Sequence, residues 1–134
     1  MNNDFLPLRG TDYVELYVSN AQQAAYYYQH AFGFDCIAKR GLTTGHKDSE
    51  SYLLQQGKVR LLITAPLKPD SDIGLHIQKH GDGVKHIALW VENANAAYEA
   101  TIARGAVSAF EPYTIEDDYG KVVLSGIQLY GDTC

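Results

Sequence analysis

The stretch YVELYVSN, residues 13–20, sets out the pattern from which the rest of the chain is built. Its β-branched and aromatic residues predict a strand, and Ser19 or Asn20 at its end is a typical helix N-cap. Apolar residues then recur at helical spacing from 21 to 32, and Gly33 is the kind of residue that ends a helix. The stretch therefore predicts a strand followed directly by a capped helix.

Further extended segments follow this helix. Residues 34–39, 50–55 and 59–65 are predicted as strands, and a short turn at 56–58 joins the last two. The first repeat, about residues 12–65, is thus a βαβββ unit. Residues 66–83 are rich in proline and glycine and form a connector, with a short helix predicted over 73–80.

The stretch VKHIALWVEN, residues 84–93, starts the pattern again. It predicts a strand with Asn93 in the cap region, then a helix over 94–104 that ends at Gly105. Both landmarks keep nearly constant register with Asn20 and Gly33. Strands predicted at 108–112, 113–116 and 121–130 complete a second βαβββ unit over about residues 84–134.

Together the two repeats predict an α+β protein. Each repeat offers a sheet with one face covered by its helix and the other face open. We expect the two to pair into a curved, barrel-like sheet that encloses a cavity, within a single domain of residues 1–134.

Composition excludes several classes of function. The chain has 134 residues, 46% of them hydrophobic, and a formal charge of −5 without a basic stripe, so nucleic-acid binding is not expected. No segment has the apolar length of a membrane span and the N-terminus lacks a signal pattern, so we expect a cytoplasmic protein. Cys36 and Cys134 are expected to be free thiols, with Cys36 a small core residue.

His86 is the one candidate metal ligand, because it occupies the first strand of the second repeat, where a paired fold of this kind could present a ligand. Its counterpart in the first repeat is Tyr13, and the last strand contains no carboxylate. An ordinary histidine on a half-buried strand is the favoured interpretation. The sequence therefore predicts no complete catalytic, cofactor-binding or metal site in this chain.

Other polar clusters favour structural roles. His76 and His80 have the spacing that places two side chains on one helical face, which alone is weak evidence for a site. The acidic run at 116–118 is typical of a solvated turn, and Gly81 and Gly83 precede a strand instead of opening a helix, so they are expected to turn the chain. The tyrosine run at 26–28 is expected to be partly buried and partly exposed.

The motifs match a known family over nearly the whole chain. The strings VELYVSNA at 14–21, FGF at 32–34, KHGDGVK at 79–85 and YGKV at 119–122, with Gln128 and YGDT at 130–133, are the most specific. With the paired βαβββ pattern, the chain resembles the vicinal oxygen chelate (glyoxalase and bleomycin-resistance) superfamily. Within it, the chain is similar to the N-terminal half of the 4-hydroxyphenylpyruvate dioxygenase family.

The resemblance implies an oxidoreductase of tyrosine catabolism that converts 4-hydroxyphenylpyruvate, a small aromatic α-keto acid, and O₂ to homogentisate and CO₂. It implies an Fe(II) cofactor whose two histidine and one glutamate ligands belong to the C-terminal half, so no ligand carries over to this chain and the chain alone is expected to be inactive. It also implies two partners, the protein's own C-terminal domain and further copies in a homo-oligomer. His86 departs from the acidic or apolar residue expected at its position.

Two alternatives stay open. The chain could be the N-terminal half of a hydroxymandelate synthase, which shares substrate and architecture. It could instead be a stand-alone protein of the same fold that binds a small ligand in its cavity. The encoded residues beyond Cys134 distinguish the alternatives.

Overall fold

The computed structural model describes residues 4–134, which form three α-helices, a short 3₁₀ turn and seven strands. The elements in chain order are β1 (Leu8–Tyr17), α1 (Ala21–Phe32), β2 (Asp35–Arg40), the 3₁₀ turn (Leu42–Thr44), β3 (Ser49–Gln56), β4 (Val59–Pro66), α2 (Asp72–His80), β5 (Gly83–Val91), α3 (Ala94–Ile102), β6 (Ser108–Asp117) and β7 (Gly120–Ile127). The α+β prediction is confirmed. No helix among these residues has the length and apolar character to cross a membrane.

Five of the strands form a mixed sheet in the order β2-β3-β4-β1-β5, and β6 and β7 form a separate hairpin. β3 pairs antiparallel with β2 and β4, whereas β1 pairs parallel with β4. The parallel pair needs a long crossover, and α1 with β2 and β3 supplies it. The first strands of the two repeats, β1 and β5, are neighbours in this sheet.

The described residues divide into two compact units, which we call the larger unit, Asp12–Ala88, and the smaller unit, Leu89–Cys134 with residues 4–11. The core of the larger unit lies between α1 and the sheet. Ala21 and Ala25 of α1 pack on Leu54 of β3 and Ile63 of β4, all 1% exposed or less. Small alanine side chains let the helix lie close to the sheet, and the alternate strand residues face the opposite side.

The two predicted helix starts are confirmed and are closely alike. Asn20 and Asn93 both have extended backbone, and the side-chain oxygen of each accepts a hydrogen bond of 3.0 Å from the backbone N–H three residues ahead. The ends differ. Gly33 closes α1 in the left-handed conformation, whereas α3 stops at Ile102, two residues before its predicted end.

The prediction of separate strands at 108–112 and 113–116 in the second repeat is wrong. Residues 108–117 form one strand, β6, where two had been predicted, and β7 ends at Ile127 instead of 130. The β6–β7 register shifts twice, once on each side of Phe110, and the second shift spans Pro112. Proline has no N–H to donate to a ladder, so it is tolerated at such an irregularity without ending the strand.

Cys36 is also placed differently from the prediction. It lies exposed on β2, the edge strand of the five-stranded sheet, next to a register shift between Cys36 and Ala38. An edge strand with every residue exposed has no second layer to bury a small side chain. Both cysteines are free, as expected.

Candidate functional site

A row of four hydrogen-bonded polar side chains crosses the larger unit on the sheet face opposite α1. Neighbouring strands contribute one residue each: Ser51 from β3, Thr64 from β4, Glu15 from β1 and His86 from β5. Because Leu16 and Ile63 pack with the α1 core, Glu15 and Thr64 must face the other side. We call these four residues the polar row.

The hydrogen bonds of the polar row run in one direction. Ser51 Oγ lies 3.0 Å from Thr64 Oγ1, and Thr64 Oγ1 donates to Glu15 Oε2 at 2.7 Å. A hydroxyl has one proton, so Thr64 must accept from Ser51 while donating to Glu15. Ser51 and Thr64 are 4% and 2% exposed, which makes these bonds inaccessible to competing water.

Glu15 and His86 form the solvent-accessible end of the polar row. Glu15 Oε1 lies 2.7 Å from His86 Nδ1, with 13% of the glutamate side chain and 26% of the histidine side chain exposed. Nδ1 is the nitrogen that bonds the carboxylate, so Nε2 is the imidazole's second functional atom. The pair can orient an imidazole, as carboxylates do beside many ligating or proton-accepting histidines.

Aromatic side chains flank the imidazole. Tyr17, two residues along β1 from Glu15, meets His86 edge-on at 5.9 Å between ring centroids, and meets His76 of α2 at 5.4 Å. The rings of His76 and His80 lie 4.7 Å apart between centroids and are tilted by 44°, so the predicted sharing of one helical face is confirmed. Two histidines thus contact Tyr17 and His80 contacts one of them, yet residues 4–134 contain no cluster of three His, Cys, Asp or Glu side chains that could hold a metal ion.

The sequence interpretation of His86 as a half-buried, hydrogen-bonded histidine agrees with this geometry, but its partner was missed. Glu15 is not evident from the alignment of the two repeats, because Tyr13 holds the position equivalent to His86. The sequence signal for the glutamate is an acidic residue between Val14 and Leu16 that interrupts an apolar run, on a strand adjacent to β5.

The other sequence candidates have local roles. Asp117 accepts hydrogen bonds from the N–H groups of Tyr119 and Gly120, so the acidic run forms a turn as predicted. His30 lies in the last turn of α1, and His46 lies in the loop after the 3₁₀ turn. Of the tyrosine run, Tyr28 packs against the core while Tyr26 and Tyr27 are exposed, which confirms the mixed prediction.

An open groove of about 440 Å³ runs beside the start of α1 in the larger unit. It is lined by Leu16, Val18, Ser19, Asn20, Gln23, Ala24, Tyr27, Tyr28, Asp82 and Gly83. Two of its polar side chains are engaged with the chain itself, because Asn20 caps α1 and Asp82 accepts a hydrogen bond from the N–H of Ser19 at 2.9 Å. Asp82 thereby ties the turn after α2 to the start of α1.

Comparison with known proteins places these features in a family. A family model described as hydroxyphenylpyruvate dioxygenase, N-terminal, matches residues 2–134. The 4-hydroxyphenylpyruvate dioxygenase of Aspergillus fumigatus is 38% identical over 93% of this chain and 34% of its own length, and that of Xenopus tropicalis is 40% identical over 90% of this chain and 31% of its own. The chain spans about a third of the length of these curated relatives.

Solved structures agree with this assignment. A mutant of 4-hydroxymandelate synthase from Streptomyces coelicolor superposes with a TM-score of 0.88 and 25% identity, covering 96% of this chain and 37% of that one. The vicinal oxygen chelate fold expected from the sequence is confirmed. The chain belongs to the family of N-terminal domains of hydroxyphenylpyruvate dioxygenase.

Proposed function

We propose that this chain is the N-terminal domain of a 4-hydroxyphenylpyruvate dioxygenase, an enzyme that converts 4-hydroxyphenylpyruvate and O₂ to homogentisate and CO₂ in tyrosine catabolism. The observation that carries the proposal is the family match over residues 2–134. The curated dioxygenase relatives are matched over about a third of their length, and their unmatched part is about twice as long as the matched part. The chain would supply a folded domain, and the reacting groups would lie in the remainder of the polypeptide.

Among residues 4–134, the side chains do not fit an iron site. A facial site for Fe(II) needs two imidazoles and a carboxylate that converge with positions left open for substrate and O₂. Here Glu15 and His86 bond each other at 2.7 Å, and no third such group completes a cluster with them among residues 4–134. We propose that the iron ligands belong to the C-terminal part of the enzyme.

The role left to this domain is structural. The polar row joins four strands of the larger unit by side-chain hydrogen bonds, which fixes the sheet face opposite α1. A rigid sheet of this kind can support subunit contacts and the closure of a catalytic half. We propose that the domain contributes in this way to a homo-oligomeric enzyme and has no dioxygenase activity alone.

A second candidate function is supported by the structural match to 4-hydroxymandelate synthase. That protein is 25% identical to this chain, whereas the curated dioxygenases are 35–40% identical, so we favour the dioxygenase. The product distinguishes the two: homogentisate for the dioxygenase and 4-hydroxymandelate for the synthase.

The test is iron-dependent oxygen uptake with 4-hydroxyphenylpyruvate. The 134-residue chain is expected to consume no oxygen and to retain no stoichiometric Fe(II) after loading and desalting. The longer protein encoded by the same gene is expected to consume oxygen, to retain stoichiometric Fe(II) and to form homogentisate. Substrate-dependent oxygen uptake by the 134-residue chain, lost in His86→Ala, would contradict the proposal.

A further inference from the structure

The outer edge of β2 is an open edge of the five-stranded sheet. Among the described strands only β3 pairs with β2, and three strands separate β2 from β5, where the chain passes into the smaller unit. All six residues of β2 are exposed. The outer edge of such a strand carries unpaired backbone N–H and C=O groups, so it can take up a further strand by backbone hydrogen bonds.

The two ends of β2 carry opposite charges on one face of the sheet. Asp35 pairs with Gln55 of β3. Arg40 pairs with Ser51, which lies four residues before Gln55 on the same strand. Because cross-strand partners share a face, Asp35 and Arg40 both project from the face of the polar row. The register shift in the middle of β2 allows two residues of odd spacing to do so.

Both of these charges lack a partner within the described part of the chain. Neither Asp35 nor Arg40 forms an ion pair or a side-chain hydrogen bond with any of residues 4–134. The Nζ atom of Lys39, in contrast, lies 3.5 Å from Glu50 and 5.0 Å from the centroid of the Tyr52 ring. A lysine on an edge strand usually discourages pairing with another chain, but this one is turned back onto β3.

A two-fold axis at the middle of β2 makes the two charges self-complementary. Antiparallel pairing of two β2 strands about a point between Ile37 and Ala38 places Asp35 of each copy opposite Arg40 of the other. Such an axis is perpendicular to the sheet, so both members of each ion pair stay on one face. A register shifted by one residue would place Asp35 opposite Lys39, which projects from the other face.

Exposed apolar side chains continue this complementarity beyond the charges. Phe32 lies three residues before β2 and Leu42 two residues after it, and they are 54% and 67% exposed. The same two-fold axis brings the end of β2 next to Phe32 together with the end next to Leu42 of the other copy. Ile37, 51% exposed, lies at the centre of the strand pair. These side chains add the apolar area that an interface between separate copies needs.

We propose that two copies of the protein dimerise edge to edge through β2, so that their five-stranded sheets join across a two-fold axis. This contact specifies the homo-oligomer of the proposed function and rests on it to that extent. Backbone hydrogen bonds between the two β2 strands supply affinity, and the Asp35–Arg40 pairs set the register.

Charge reversal in the full-length protein encoded by the gene tests the proposed dimer by analytical ultracentrifugation. Asp35→Arg and Arg40→Asp each place like charges opposite one another, so each is expected to raise the dimer dissociation constant at least about tenfold. An equimolar mixture of the two variants is expected to associate as the unsubstituted protein does, because every charge then faces its opposite. Asp118→Arg, in the turn between β6 and β7, is the matched control and is expected to leave the dissociation constant unchanged.

Recovery of association in the mixture separates a lost interface from a lost fold, because misfolded variants do not regain a dimer on mixing. If the mixture does not recover, or if both single variants dimerise normally, the edge-to-edge dimer is wrong. A full-length protein that stays monomeric at high concentration also overturns it, and slower amide exchange in β2 than in the 134-residue chain would then identify a segment beyond Cys134 as the occupant. Homogentisate formation tests the proposed function separately, so either proposal can fail while the other stands.

Discussion

Thr64 is the most constrained residue of the polar row. It is 2% exposed, accepts from Ser51 and donates to Glu15, so both functions of its hydroxyl are used inside the protein. Each bond adds modest net stability, but leaving a buried partner unsatisfied costs more than the bond itself contributes. The row therefore acts as one unit in which the loss of a single hydroxyl affects two neighbours.

We expect Thr64→Val to lower the free energy of unfolding by about 1–3 kcal/mol, because valine keeps the shape of threonine while Ser51 and Glu15 each lose a partner. Thr114→Val, the same substitution at an exposed strand position, is expected to change stability by less than about 0.5 kcal/mol. Urea denaturation of both variants measures the difference. Equal effects at the two sites would show that the polar row does not stabilise the sheet.

A second prediction at this scale concerns the ion pair between Asp48, just before β3, and Lys68, just after β4. The hydrogen bond and positive charge of Lys68 lower the pKa of Asp48. Because the folded-state pKa is the lower one, the pair's small contribution to stability is present above the ordinary aspartate pKa and is lost as pH falls through the folded-state value.

Lys68→Met is therefore expected to raise the pKa of Asp48 towards its ordinary value, as followed by NMR titration of the carboxyl carbon. Lys58→Met, at the turn between β3 and β4, serves as the control and should leave that pKa in place. A pKa of Asp48 that stays low without Lys68 would assign the shift to another cause.

At the scale of elements, the N-caps of α1 and α3 do the same task in both repeats. Asn93→Ala is expected to destabilise the protein by about 1 kcal/mol, since the N–H of Ala96 loses its acceptor. Asn95→Ala, inside the first turn of the same helix and exposed, is expected to be neutral or slightly stabilising, because alanine is the better helix former. Thermal unfolding measures the stability of both variants. An Asn93→Ala variant as stable as the unsubstituted protein would mean that the cap bond contributes little.

The helices were predictable because their signals are local. Asn20, Asn93 and Gly33 each decide a boundary through the conformation of a few neighbouring residues, and α1 has the predicted limits. Strands depend on partners distant in sequence. Residues 108–112 and 113–116 were predicted as separate strands, yet pairing with β7 holds them in one strand despite Pro112.

The polar row was harder to predict than the elements that carry it. His86 was found as a candidate, but its bond to Glu15 depends on β1 and β5 being neighbours, which follows from the sheet order and not from the spacing of residues. Cys36 was expected in the core because its segment is apolar, and it is exposed because that segment is an edge strand. In both cases the missing information was the position of a strand within the sheet.

At the scale of the whole molecule, the functional interpretation rests on the resemblance to the dioxygenase family. The residue patterns predicted two repeats, and the family match over residues 2–134 confirms the dioxygenase relationship. The activity, the subunit association and the cytoplasmic location stay predictions, because the chain spans only about a third of the length of these relatives.

The most direct test of the central claim is the sequence of the gene beyond the codon for Cys134. The account predicts an open reading frame that continues for roughly twice the length of this chain, as the curated relatives do, and encodes a further domain with two histidines and one glutamate able to bind iron. A stop codon directly after Cys134 would contradict the account and favour a stand-alone binding protein of the same fold.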